Sequence, residues 1–367
     1  MILARSPYII EIDETNQTST KVELFLWNGT GAAPALPAYV LSKKVPSTNQ
    51  RKTFYDIAPY IREYFKFYES YPYETSNNVL PNEYAYCNVK YITYSYVGTT
   101  ETILDEITNI GLDGYGYYSD GYNPSESNLD RYLLSVKSPN VYNYPCSDGL
   151  NSLLNAGTIT ILGTSYFNEY DILKAVYTPL DYSAASIEVT ITQTTIVNLL
   201  RVHLEFYEVG NKLEIIGSSE AGEDVLITYY FQPICECKYD VMTVDFINRF
   251  GAWQREFFYK ASNETLEVTN NNYKTNPVAF PEYNTLQGQV GVLNTNGKQT
   301  YKVNSGWVEE SFKDTIQELL LSETIRLNGK PATLKTKSVE KYKSINTKTI
   351  NYQVEFEMAY DLINSVN

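Results

Sequence analysis

The sequence predicts a mainly β protein made of two β-sandwich-like domains with two or three short helices. Tyrosine is unusually abundant, with 35 residues in a chain of 367, and Tyr, Thr, Val and Ile favour half-buried strands. Short strand-like runs alternate with turn-rich segments, which is typical of sandwiches. Chain length favours two domains. We place their boundary near residue 180, which gives domains of residues 1–180 and 181–367.

The amino-terminal domain is predicted to combine strands with one helix. Strands are expected at 7–12, 21–27 and 38–45. Apolar residues of 55–68 then recur with a period near 3.6, which predicts a helix near 56–67. Asp56 is the expected amino-terminal cap, and Pro59 fits only the first turn. The alternation in 84–97 predicts one long strand or a hairpin.

Two tyrosine-rich segments, about 69–83 and 111–128, are predicted to be loops, and the second is expected to be exposed and functional. Tyrosines at loop tips make contacts with proteins or glycans. The candidate interaction residues are therefore Tyr71, Tyr73, Tyr115, Tyr117, Tyr118 and Tyr122. The alternative is that tyrosine merely replaces other aromatic residues here.

The carboxyl-terminal domain is predicted to hold most of its strands before a second helix. The strands are expected at 187–194, 199–209, 212–217, 225–231, 239–247 and 255–262. A turn at Gly251 and Ala252 would join the last two into a hairpin with an aromatic corner. An apolar stripe predicts a helix near 308–323. We expect this hairpin and helix to organise the domain through Phe250, Gly251, Trp253, Trp307 and Phe312.

Charge and composition exclude several classes of function. The net charge of -14 argues against gripping nucleic acid through its phosphates and against binding an anionic membrane surface. No stretch approaches the roughly 20 apolar residues that span a bilayer. One histidine, His203, excludes imidazole-rich metal sites, and a structural or solvated role is favoured for it.

No pattern predicts a catalytic, cofactor or metal site. Cys235 and Cys237 could share a metal if they lie in a strand, but reduced, partly buried thiols are favoured. Phosphate-binding glycine motifs are absent. A carboxylate-based glycosidase remains open because it needs only two acids.

Several segments resemble virion structural proteins of tailed phages that infect Bacteroidetes, including crAss-like phages. They are FINRFGAWQREFFYKAS (246–262), the helix ending in Leu319–Glu323, the final strand Tyr352–Asn364, and the openings ARSPYIIEI, KVELFLWNG and TFYDIAPYIREYF. Both ends and the middle are covered, whereas 69–200 match poorly. The resemblance implies a component of the tail or its hub and carries no catalytic residues.

The resemblance, the tyrosine-rich loops and the abundance of acids together leave three hypotheses. The first is a tail or tail-hub protein that forms a homo-oligomeric ring, a hexamer or dodecamer, and contacts other tail proteins. Such a protein would be assembled in the bacterial host cytoplasm and located in the virion tail, with no cofactor, no specific nucleic-acid binding and no membrane insertion. The second is a receptor- or glycan-binding protein at the virion periphery. The third is the glycosidase, or a related cell-wall hydrolase.

Overall fold

The chain is mainly β, as the sequence predicts, with 60% of the structure in strands and 7% in helices. The computed structural model describes residues 1–28, 31–45, 47, 51–65, 80–81, 86–124, 141–145, 158–163, 172–191, 198–203, 209–220, 222–235, 238–275, 286, 288–338 and 349–363. No helix in these ranges is long and apolar enough to cross a membrane.

The chain divides into two compact units. Unit 1 is Met1–Cys235 with Ile247–Arg255, and unit 2 is Glu236–Phe246 with Glu256–Asn367. Residue 180, where the sequence predicts a boundary, lies inside unit 1. The short segment Ile247–Arg255 belongs to unit 1 although its neighbours on both sides belong to unit 2.

Unit 1 begins with a five-stranded sheet whose order is β1-β8-β7-β3-β4, and a separate two-stranded ribbon of β2 and β5. The elements are β1 (Ile2–Leu3), β2 (Ile9–Ile12), β3 (Ser19–Trp27), β4 (Tyr39–Lys44), β5 (Thr53–Asp56), α1 (Ala58–Arg62), β6 (Leu80–Pro81), β7 (Tyr86–Val97) and β8 (Thr100–Leu112). The segment predicted as a strand or hairpin is therefore one strand of a hairpin, which turns at Gly98.

The first core lies between this sheet and the layer made by the β2–β5 ribbon and α1. It contains Val22 and Leu24 from the sheet, and Tyr55, Ile57 and Ile61 from the covering layer. The two-layer packing explains why residues along β3 alternate between buried and partly exposed.

Helix α1 is shorter than the sequence predicts. It begins at Ala58, and residues 66 and 67 lie outside the described ranges. Pro59 lies in its first turn, as predicted. Asp56 Oδ1 accepts the Ala58 N–H at 3.1 Å, which gives Asp56 the capping role one residue before the formal cap, Ile57.

The rest of unit 1 contains two further sheets. Their strands are β9 (Val141–Pro145), β10 (Thr158–Gly163), β11 (Ile172–Pro179), β12 (Ile187–Ile191), β13 (Asn198–His203), β14 (Asn211–Ser219) and β15 (Gly222–Ile234). Five form a sheet in the order β12-β11-β14-β15-β9, and β10, β13 and β6 form the other. Unit 1 is thus an assembly of several sheets.

Unit 2 is dominated by a seven-stranded sheet, ordered β17-β16-β20-β21-β22-β19-β18. Its elements are β16 (Met242–Ile247), β17 (Trp253–Phe258), β18 (Lys260–Lys274), β19 (Val290–Glu309), α2 (Phe312–Leu321), β20 (Ile325–Leu327), β21 (Lys330–Leu334) and β22 (Thr349–Met358). Helix α2 lays Ile316 and Leu319 against core residues of the sheet, including Phe246, Val354 and Phe356.

The second helix begins later than predicted. Val308 and Glu309 belong to β19, where they pair with Ile350 and Thr349 of β22. The helical stripe of the sequence extends over them, but the ladder to β22 holds them extended. Tertiary hydrogen bonds have therefore overridden the local periodicity.

Candidate interaction surfaces

The tyrosine-rich segment at 113–124 is a loop anchored at its base, and it was only partly predicted. The sequence suggests an exposed loop over 111–128, yet Gly111 and Leu112 end strand β8, and Tyr115 is buried. Tyr117 is half-buried, whereas Tyr118 and Tyr122 are exposed. The expectation of exposure is wrong for Tyr115 because this side chain is needed to fix the loop.

Residues near the start of the chain, Arg5 and Ser6, hold the first part of the loop. The backbone N–H of Arg5 donates to the Gly114 carbonyl at 2.9 Å, and the Gly116 N–H donates to Ser6 Oγ at 2.7 Å. The Arg5 guanidinium lies 4.9 Å from the centre of the Tyr115 ring. These contacts join residues more than one hundred positions apart.

Arg249 holds the second part of the loop. Its guanidinium lies 4.5 Å from the centre of the Tyr117 ring, and its Nη2 lies 2.9 Å from Asp120 Oδ2. The Arg249 carbonyl also accepts the Tyr115 N–H at 2.8 Å. A cation against an aromatic face combined with a charge-assisted hydrogen bond makes a geometrically specific clasp.

Asn123 fixes the far end of the loop to strand β2. Its Nδ2 donates to the Ile9 carbonyl at 2.8 Å, and its Oδ1 accepts the Ile9 N–H. Tyr118 and Tyr122 therefore project from a loop that is tied down on both sides. The loop backbone that carries these rings therefore loses little further conformational entropy when they bind a partner.

A turn forms where the sequence predicts one, at Gly251 and Ala252, and it packs against this loop. Asn248 Oδ1 accepts the N–H groups of Phe250 and Ala252 at 3.0 and 3.1 Å. Gly251 has a φ of +80°, and a Cβ there would lie 2.7 Å from the backbone nitrogen of Asp113. Only glycine fits this close approach.

The aromatic residues of the turn are largely buried. Trp253 is 3% exposed. Phe250 packs against a small cluster with Leu3, Tyr86 and Leu112. The turn lies within residues 247–255 and belongs to unit 1. Its expected role in organising the carboxyl-terminal domain stays a prediction.

Phe312 and Trp307, the two remaining residues that the sequence predicts to be structural, differ in burial. Phe312 is the first residue of α2, is partly buried, and its ring lies 6.2 Å from that of Tyr352. Trp307 lies in β19 and is 70% exposed, so its side chain is not part of a core. Tyr71 and Tyr73 lie outside the described residues.

The residues weighed for chemistry are distributed over different elements. His203 ends strand β13. Cys87 is buried and free, and burial raises the pKa of its thiol to about 12, which makes it unreactive at neutral pH. Within the described ranges, no cluster of three or more His, Cys, Asp or Glu side chains could hold a metal ion.

Cys235 departs from the sequence-based expectation of reduced thiols. It is disulfide-bonded, and its partner lies outside the described residues. The expectation of a reduced thiol is therefore wrong for Cys235. Cys237, the other half of the C-x-C pair, also lies outside the described residues.

Comparison of the chain with protein-family models, curated proteins and solved structures gives no match in any of the three. The contacts made by Arg5, Ser6, Arg249 and Asn123 therefore have to be interpreted from their own geometry. Arg5, Ser6 and Arg249 lie in segments that carry the resemblance described above. The local sequence does not indicate their contacts, because each acts on a distant part of the chain.

Proposed function

We propose that the chain is a structural component of a tailed bacteriophage virion, a tail or tail-hub protein that forms a homo-oligomeric ring and contacts neighbouring tail proteins. Its role is binding, and the sequence resemblance described above is the starting point. The observation that carries the proposal is the large amount of apolar and aromatic surface that the folded chain exposes on regular strands and a fixed loop.

This exposed surface suits assembly. Tyr118 and Tyr122 project from the clasped loop, and a further set of exposed apolar residues lies on β18 and β19: Leu266, Val268, Tyr273, Val290, Val292 and Leu293. Large apolar exposure on a monomer marks an interaction site. The net charge of -14 suits a protein that meets DNA without adhering to it.

The test is to find the chain in particles and image it. Mass spectrometry of purified virions from the phage that encodes the chain should detect it at a copy number consistent with six or twelve per particle. Negative-stain images of the purified chain should show rings of one fixed copy number. If the chain is missing from mature particles, the proposal is wrong.

A second candidate, a peripheral receptor- or glycan-binding protein, is favoured by the exposure of Tyr118 and Tyr122. The double variant Tyr118→Ala, Tyr122→Ala should then abolish binding to host cells. Tyr182→Ala, at a tyrosine that is 75% exposed on another loop, is the matched control and should leave binding unchanged. Equal binding by all three proteins would remove this candidate.

A further inference from the structure

The hairpin of β18 and β19 extends beyond the rest of its sheet. Pairing runs from Lys260 opposite Asn304 to Lys274 opposite Val290. Strand β22 pairs with β19 only from Thr300 onward, and the segment after it follows as far as the contact of Asn296 with Ile363. From that contact to the tip of the hairpin, the described residues of β18 and β19 form a ribbon of two strands. We call this ribbon, residues 268–275 and 288–297, the arm.

The arm exposes an apolar face. All fifteen residues of β18 are exposed. By register, Val268, Val290 and Val292 lie on one face of the ribbon, because residues directly opposite in a ladder share a face and alternate residues repeat it. Each is more than half exposed. A two-stranded ribbon of this kind is at best marginally stable in water.

The free edge of the arm lacks the usual protection. β18 is the last strand of its sheet and contains no proline between Lys260 and Lys274. Edge strands that must remain unpaired normally carry prolines or several charges. Lys274 is the only charged residue of the arm. No strand in the described ranges pairs with the outer side of β18, which leaves its backbone there to pair with another strand.

Strand β8 in unit 1 offers a complementary edge. One side pairs with β7, while β1 covers the other side only at Gly111 and Leu112. Between Thr100 and Thr108, no described strand pairs with that side. Ile103 and Ile107 are exposed there.

The charges of the two edges also match. Strand β8 carries Glu101, Asp105 and Glu106 and contains no Lys or Arg, whereas the arm carries Lys274 and no acid. The other edge of the same sheet is β4, which follows Pro34 and Pro37 and is therefore protected against pairing with another strand. It ends in Lys43 and Lys44, whose positive charge would repel Lys274 of the arm.

We infer that the arm of one copy adds as an extra strand to the free edge of β8 in a second copy, with the apolar face of the arm on the side of Ile103. Ile107 lies on the opposite face of β8, because the ladder to β7 shifts register between Thr93 and Tyr94. The inference rests on the proposed function, because this strand addition is the contact between copies that would build the proposed ring. Arm and β8 edge are different surfaces, so the contact is head-to-tail and can propagate until a ring closes.

The experiment compares three full-length variants by mass photometry and analytical ultracentrifugation over a concentration series. Val268→Glu adds an acid to an arm that carries none, and Ile103→Lys adds a base to the acidic edge of β8. Val40→Glu is the control, because Val40 on β4 and Val268 are both 55% exposed. Circular dichroism and thermal melts confirm that each variant folds.

We expect wild type and Val40→Glu to form the same oligomer. Val268→Glu and Ile103→Lys should each be monomeric, with dissociation constants raised by about 100-fold or more, because like charges across a contact cost several kcal/mol. An equimolar mixture of these two variants should recover association, since the intact arm of Ile103→Lys can pair with the intact β8 edge of Val268→Glu.

Each other outcome contradicts the inference in a recognisable way. If wild type is oligomeric and both variants remain so, the edges are not the contact, and the proposed ring stands on other surfaces. If Ile103→Lys has no effect while Val268→Glu dissociates the oligomer, the arm pairs with something other than β8. If wild type is monomeric throughout, the self-contact is wrong, and the presence of the chain in virions decides the proposed function separately.

Discussion

The loop at 113–124 and the arm both present exposed side chains, but they are stabilised in opposite ways. The loop is fixed by contacts within its own unit, with Arg5 against Tyr115, Arg249 against Tyr117, and Asn123 bonded to Ile9. Among the described residues, the arm is held by its own ladder and by hydrogen bonds of Asn296 and Gly297 with residues 361–363. A surface that is already rigid can recognise a partner, whereas a ribbon without support depends on a partner for its stability.

The largest expected effect is on the free energy of unfolding, and it distinguishes buried Trp253 from exposed Trp307. Trp253→Ala should lower the free energy of unfolding by about 3–5 kcal/mol, because it empties a buried site. Trp307→Ala is the matched control and should change it by less than about 0.5 kcal/mol, since that side chain is 70% exposed. Urea unfolding followed by circular dichroism measures both. Equal losses in the two variants would contradict the burial of Trp253.

The second prediction tests the close contact between the turn and the loop. Gly251→Ala should cost about 3 kcal/mol, from the left-handed backbone and from the clash with the Asp113 nitrogen. Gly98 also has a positive φ, of +63°, but a Cβ there would meet nothing within 4 Å. Gly98→Ala should therefore cost only about 1 kcal/mol. Similar costs at both positions would show that the turn does not pack on the loop.

The smallest effect concerns charged contacts. Arg249→Ala should cost about 1–2 kcal/mol through loss of the clasp on Tyr117 and Asp120, and it should speed hydrogen exchange of the Tyr115 amide. Lys298→Ala removes an ion pair with Glu357 near the base of the arm. Because that pair is solvent-exposed, its loss should cost less than about 0.5 kcal/mol. If Arg249→Ala leaves exchange at Tyr115 unchanged, the clasp does not hold the loop.

The arm itself was not predicted from the sequence. The sequence predicts a strand only to residue 262, and no element was assigned between there and the helix. Residues 263–275 are rich in Asn, Thr and Glu and show little apolar alternation. Because β18 buries neither face, its sequence lacks the alternation of apolar and polar residues that predicts a strand. Only its hydrogen bonds to β19 show that it is one.

The sequence by itself determined the mainly β fold class, most of the strands, the turn at Gly251 and the approximate places of both helices. These features follow from local propensity and from the period of buried residues, which are encoded over a few positions. Only the tertiary structure decided that Tyr115 is buried and Tyr118 exposed, that Val308 is extended, that Cys235 is bonded to another sulfur, and that residues 247–255 join unit 1. The disulfide partner of Cys235 lies outside the described residues. The other three features depend on partners far away in the chain, and a local pattern carries no information about which distant residue will be there.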